Sequence, residues 1–441
     1  MIRRALLLAM LSTLPAWAEE RAPLSLLQAY DSSLHNDPAF QKATFDYQAS
    51  QEEEAIGFSG LLPQISAGSR YGQNKQLSGQ TANSSNDESR STSSTLNLSA
   101  RQVLYSQAQM AVYEQSQARD EAGSALYDDS AQELFNRVTE AYFDVARQDN
   151  ELKLATQQKA AIEGLVKQTR RLLEAGDGTI TDTEEAQARL DLIKAQEIEY
   201  QARMQAALRK LSGRAGLPVS AITPMQESLP QSVPLEATQD MSYWQKVAST
   251  AAPRLEAQGA VIKLAEAELK TQRAGHTPSL SLVSELSKTD QSNLETDLRR
   301  QSAYYVGLSL DVPLYSGGGV SANVRRSQYA LSGAMAQYDA ERQQIAEDIE
   351  REYLGVVSGY AKCKALQTAV RSNQRALESA EKGYQAGVRS TVDILNAQQV
   401  LYTARRDLLN TKLLMLQSYV GLHARTGKMH RGTLQQVQEL F

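Results

Sequence analysis

Few side chains in this chain are spaced for covalent chemistry. The four histidines, His35, His276, His423 and His430, are scattered, with no pair at the helical spacing a metal requires. Gly317-Gly318-Gly319 lacks the Lys-Ser/Thr of a phosphate loop and reads as a hinge. No Gly-x-Ser-x-Gly nucleophile turn is present. The expectation is a protein that is not an enzyme and carries no cofactor or metal. Two carboxylates do sit in a pattern. Asp182 follows Thr179, and Asp393 follows Ser390, each by three residues. That is the spacing of a hydroxyl N-cap with an acidic third position, where the helix dipole favours negative charge. Thr181 with Glu184 satisfies the same rule.

The elements that position these carboxylates are duplicated. Asp182 and Asp393 are 211 residues apart, as are Ala175-Gly176 and Ala386-Gly387. Leu211-Ser212-Gly213-Arg214-Ala215-Gly216 returns at the same shift as Leu422-His423-Ala424-Arg425-Thr426-Gly427. Pro38 and Pro63 return as Pro253 and Pro278, shifted by 215. A repeat this long is no solenoid unit. It divides the chain into repeats over 24–216 and 241–427. Residues 217–240 join them and hold four of the eleven prolines, which no helix can run through. Residues 19–441 are expected to form a single domain.

Each repeat contains strands and long helices. Residues 24–58 read as helical. Ile65, Ala67, Ser69 and Tyr71 then alternate with polar residues; residues 72–93 read as a polar loop; Leu96, Leu98, Ala100 and Leu104 share one face. In the second repeat Leu280, Leu282 and Leu286 alternate, and after a polar loop so do Tyr304, Val306, Leu308, Leu310 and Val312. Such strands suit either a half-buried soluble sheet or a membrane barrel, and runs of about 10 residues match tilted membrane strands. From Gln107 to Glu174 there is no proline, and heptads run through Val138, Val145, Leu152, Lys159, Val166 and Leu173. The second copy runs through Ile349, Val356, Cys363, Val370, Leu377 and Tyr384, and returns through Ile394, Leu401, Leu408, Met415 and Leu422. Strict sevens impose coiled-coil packing. The single cysteine, Cys363, falls on the seam and is expected to be a small buried hydrophobe.

Met1 to Ala18 reads as a secretory signal, with Arg3 and Arg4, an apolar run, and Ala16-Trp17-Ala18 before the cut. Glu19 follows, so no lipidated cysteine is expected. The formal charge is -5, becoming -7 without the two leader arginines, which disfavours nucleic acid. No later run is apolar enough for a membrane helix, so any crossing must be made by strands. Four strands cannot close a barrel, and a membrane sheet tolerates no open edge. The chain must therefore oligomerise to span: two copies give eight strands, three give twelve. A helical rod of about 100 Å exceeds any bilayer and suits a conduit.

Residues 24–427 resemble the TolC-type outer-membrane channel-tunnel family. The resemblance is carried by Leu314-Tyr315-Ser316-Gly317-Gly318-Gly319, similar to the family's strand-to-helix junction, and by residues 383–398, Gly383 to Gln398, similar to its periplasmic tip. It implies an α+β membrane protein: duplicated coiled-coil hairpins plus four transmembrane strands per chain. A homotrimer would then build one β-barrel continuous with a periplasmic helical tunnel. Implied partners are outer-membrane lipid, a periplasmic adaptor, and an inner-membrane ABC exporter or proton-driven pump. By the same resemblance Tyr384 and Arg389 match tip-latch positions, with Thr181 and Asp182 as partners. Asp393 matches one constricting carboxylate, and Asn396 replaces the second, leaving a single acidic ring. The expected function is a gated exit duct, with type I protein secretion favoured over multidrug efflux by the absent lipid cysteine and by Asn36-Asp37-Pro38, which resembles secretion members. The rival readings are an exported coiled-coil scaffold without a pore and a periplasmic adaptor.

Overall fold

The structure is a computed structural model that describes residues 23–76, 89–225, 235, 240–293 and 299–440. The expected signal segment and most of the proline-rich connector lie outside the described residues. The element order passes through one series twice. Helices α1 (Leu26–Asn36) and α2 (Pro38–Ser59), strands β1 (Gln64–Gln76) and β2 (Ser89–Ser106), and helices α3 (Gln107–Ala175) and α4 (Ile180–Ala215) form the first pass. Helices α5 (Met241–Ala251) and α6 (Pro253–Ala274), strands β3 (Ser279–Asn293) and β4 (Arg299–Asp311), and helices α7 (Gly319–Gln385) and α8 (Thr391–Arg425) form the second; α9 (Arg431–Leu440) closes the chain.

The region read as helical over 24–58 holds two helices. Asp37 stops α1 in an extended conformation and its carboxylate caps α2, with Pro38 at the first helical position. Ala252 and Pro253 repeat that break between α5 and α6, without a side-chain cap.

The two long helices are continuous rods, 69 residues in α3 and 67 in α7, each about 100 Å long at 1.5 Å per residue. The shorter helices are stacked in pairs beside them. Above, α6 lies between α3 and α7; below, α8 fills the same gap. On the other flank of α3, α2 lies above and α4 below. The heptad residues form the seams: Val138, Val145, Ile349, Val356, Cys363, Leu401, Met415 and Leu422 are buried. Burial pushes the Cys363 thiol up to about 11, so it is an inert core side chain. The described part of the connector packs on this core. Leu24 and Ile222 form a parallel bridge, Ile222 is buried, and the Tyr142 hydroxyl donates to the Leu24 carbonyl at 3.0 Å.

The strands form one antiparallel sheet in the order β1-β2-β3-β4. They are longer than the apolar alternation indicated, 13, 18, 15 and 13 residues. The expected loop over 72–93 is strand to Gln76 and again from Ser89. Backbone pairing does not depend on apolar side chains, so the ladder continues through Ser, Thr and Asn after the hydrophobic signal ends. Register puts Ile65, Ala100, Leu282 and Leu308 on one face, and Gln64, Arg101, Val283 and Gly307 on the other. In the single chain the apolar face is open: Ile65 is 72% and Leu310 67% exposed. β1 and β4 are paired on one side only among the described residues.

Candidate functional site

Both hairpins turn through the same backbone device. α3 ends at Gly176, with φ +82°, and α7 is followed by Gly387, with φ +73°. The amide of Asp177 donates to the Leu172 carbonyl and that of Val388 to the Gly383 carbonyl, both at 2.9 Å. The amides of Gly176 and Gly387 close the inner bond of the same motif, to Leu173 and Tyr384. This is a Schellman stop, and the left-handed residue favours glycine.

The return helices begin with the expected caps. Ser390 accepts from the amide of Asp393 at 3.2 Å, and Asp393 accepts from the amide of Ser390 at 2.9 Å, a complete capping box. In the first hairpin the cap is Thr179, which accepts from the Asp182 amide at 3.2 Å and donates its hydroxyl to the Asp182 carboxylate at 2.5 Å. Thr181 is therefore an exposed residue of the first helical turn rather than the cap.

The two tips differ in charge. Arg389 Nη1, just before the Ser390 cap, lies 3.6 Å from Asp393 Oδ1 in the first turn of α8. The other carboxylate oxygen, Oδ2, accepts from the Ser390 amide and hydroxyl. These bonds to Ser390, and then the guanidinium, hold the Asp393 carboxyl below its ordinary value. Asn396 is exposed one turn further along α8. Tyr384 is half-buried in a groove with Ala161, Gly164 and Leu165 of α3 and Ile394 and Gln398 of α8. Within one chain Tyr384 and Arg389 make no hydrogen bond to Thr181 or Asp182: Asp182 serves Thr179, and Arg389 serves Asp393.

At the opposite end of α7, Gly317 and Gly318 have φ of +60° and +80°, and Gly318 is the N-cap. Gly319 is already helical, the first residue of α7. Leu314 and Tyr315 before them are 92% and 87% exposed. The matching junction between β2 and α3 has no glycine; Ser106 caps α3 by accepting from Gln109.

Sequence reasoning missed the pairing of Arg389 with Asp393, although the two lie only four residues apart, one on each side of the Ser390 cap. It also missed the two buried acids, Asp37 and Asp348, at the helix joints. Asp37 takes Arg137 at 3.1 Å and Arg214 at 3.8 Å. Asp348 takes Arg351, Arg425 and the Gln344 amide.

Comparison with known proteins places this geometry. The outer membrane efflux protein family matches residues 29–217 and 245–428. The proteases secretion protein PrtF of Dickeya chrysanthemi is 30% identical, over 100% of this chain and 96% of its own length. The alkaline protease secretion protein AprF of Pseudomonas aeruginosa is 29% identical over 96% and 88%, and the outer membrane protein TolC of Vibrio cholerae 25% over 94% and 92%. Among solved structures, the CmeC outer membrane channel of Campylobacter jejuni superposes with a TM-score of 0.77 at 16% identity, covering 97% of this chain and 94% of that one. CusC gives 0.76 at 18%, covering 92% of each.

Proposed function

The chain belongs to the outer membrane efflux protein family, and from that premise we propose that it is the gated exit duct of a type I protein secretion system. It resides in the outer membrane with a large periplasmic part, and its fold is that of the channel-tunnels. The observation that carries the duct is the sheet. Four strands with two half-paired edges, β1 and β4, cannot sit in lipid alone. Pairing β4 of one copy with β1 of the next closes a ring, and three copies give twelve strands. The same symmetry arranges the 100 Å rods into a tube below the barrel. Register then assigns the faces: Ile65, Leu282, Leu308 and Leu310 meet lipid, while Arg101, Glu285 and Ser309 line water.

Secretion rather than drug efflux is supported by two relatives named for protease secretion, PrtF and AprF, that align with nearly the whole chain. The duct brings no energy source of its own. An inner-membrane ABC exporter would supply it, and a periplasmic adaptor would join the two. At the tips, Asp393 would form the aperture ring with Asn396 beside it, and Tyr384 and Arg389 would latch to Thr181 and Asp182 across hairpins, Arg389 through guanidinium nitrogens other than the Nη1 that faces Asp393. Gly317 and Gly318 would turn the barrel strand into the tunnel helix.

The test is a clean deletion in the native host. Loss of an extracellular protease with unchanged drug susceptibility is the expected result. The reverse pattern would assign the duct to a drug pump.

A further inference from the structure

The two tips share a backbone but reverse one size relation. In the second tip, position 383 is glycine and position 389 arginine; their counterparts 211 residues earlier are Leu172 and Gly178. Gly383 leaves room for the arginine stem: a Cβ there would stand 2.6 Å from Arg389 Cγ. The stem therefore lies across the end of α7, and the guanidinium reaches Asp393 at 3.6 Å. In the first tip, a Cβ on Gly178 would meet the backbone of Leu173 at 2.9 Å, so no side chain fits there, and among the described residues Asp182 forms no ion pair.

We propose that Arg389, aimed by its packing on Gly383, is a built-in counter-ion of the aperture that occupies the same carboxylate a multivalent cation must take. This rests on the reading of Asp393 as the aperture ring. Asn396 adds no charge at the next turn, so three guanidiniums match three carboxylates and the resting ring is close to neutral. Cation binding and the Arg389–Asp393 pair then exclude one another. Asp393 Oδ2 is already engaged by Ser390, which leaves Oδ1 as the contested atom. Arg389 thereby sets ion selectivity: a neutral ring admits polyanionic and polycationic segments alike, which suits an unfolded polypeptide of mixed charge.

The experiment uses purified trimers in planar bilayers, with La³⁺ on the periplasmic side and a salt-gradient reversal potential as second readout. Arg389→Ala should lower the La³⁺ concentration for half-block roughly tenfold or more, since a point charge beside the ring is removed. It should also shift the reversal potential toward cation selectivity. Arg389→Lys, which keeps the charge, should move both readouts far less than Arg389→Ala. Gly383→Ala keeps the arginine but displaces its stem, and should move both readouts in the direction of Arg389→Ala; it also serves if Arg389→Ala fails to assemble. Unchanged block and selectivity in Arg389→Ala or Gly383→Ala, with block lost in Asp393→Ala, would overturn the counter-ion while leaving the aperture in place. Wild-type block in Asp393→Ala would instead remove the aperture reading itself.

Discussion

Asp37 and Arg214 join two stacked helices through opposite charges. Asp37 caps the start of α2, and its carboxylate lies 3.8 Å from Arg214 at the end of α4. The second repeat keeps the arginine, as Arg425, but has Ala252 where the acid should be. Its acid comes from the long helix instead: Asp348 on α7 stands where the first repeat has Arg137. Each joint thus keeps one buried carboxylate, 2% exposed at Asp37 and 4% at Asp348, while exchanging which helix supplies it. Both joints bear on the rods that carry the tips.

Removing either acid should destabilise the protein. Asp348→Asn leaves Arg425 half-buried without its carboxylate, and breaking a buried pair costs about 3 kcal/mol. Asp37→Asn should cost a similar amount, because asparagine still caps α2. The measurement is the denaturation midpoint of purified protein. A loss below about 0.5 kcal/mol at both sites would mean that the joints are held by packing alone.

The glycine run at the strand–helix junction should divide into two parts. Gly317 and Gly318 are left-handed, and a side chain there costs about 1–2 kcal/mol each. Gly319 is helical, so Gly319→Ala should be neutral or stabilising by up to about 1 kcal/mol. Paired Gly317→Val and Gly318→Val should reduce heat-resistant oligomer in outer membranes, whereas Gly319→Ala should not. Equal losses from all three would argue for crowding at the junction rather than backbone conformation.

Cys363 should resist labelling. It is fully buried and its thiol is pushed up to about 11 by desolvation. Maleimide at neutral pH should modify the unfolded chain only. The folded form keeps its proton to higher pH than the unfolded one, whose ordinary value is 9.0. This contribution to stability is therefore full below about pH 9 and is lost as pH rises toward 11. Wild type should lose stability relative to Cys363→Ala across that window, and parallel curves would show that the thiol does not titrate there.

Much of this was legible because the sequence repeats itself. The 211-residue shift located both tips, and heptads located the seams, since the buried Val356, Cys363 and Met415 all fall on the seven-residue spacing. Strand ends were illegible: the ladder continues through Ser89 and Gln76, where side chains carry no alternation. Asp37 and Asp348 were illegible as partners because each reaches an arginine distant in sequence, joined only by packing. Tyr384 was legible as the last residue of a heptad seam, but its groove with Leu165 and Ile394 was not, because three helices build it.

The latch has its own test. Tyr384→Phe with Thr181→Ala, which spares the Arg389–Asp393 pair, should leave the oligomer intact and raise single-channel conductance. Each hydrogen bond removed contributes about 1–3 kcal/mol, repeated by symmetry. An unchanged conductance in confirmed oligomers would reject the latch and leave Tyr384 as a seam residue of the groove with Leu165 and Ile394.

The pH dependence of the aperture separates ring from cap. Asp393 is held below its ordinary value of 3.8, first by the Ser390 amide and hydroxyl and then by Arg389. A carboxylate with a depressed value keeps its charge, and whatever depends on that charge, above 3.8 and loses it as pH falls through the folded value. Block by saturating La³⁺ should therefore be as complete at about pH 4.5 as at neutral pH, and fade only in more acid solution. Should three Asp393 meet on one axis, as proposed, each would bring its own donors and its own guanidinium, and their mutual repulsion would be offset within each chain. Fading already between about pH 5 and 6 would mean the opposite: carboxylates close enough to raise one another, with the capping bonds surrendered to the ring.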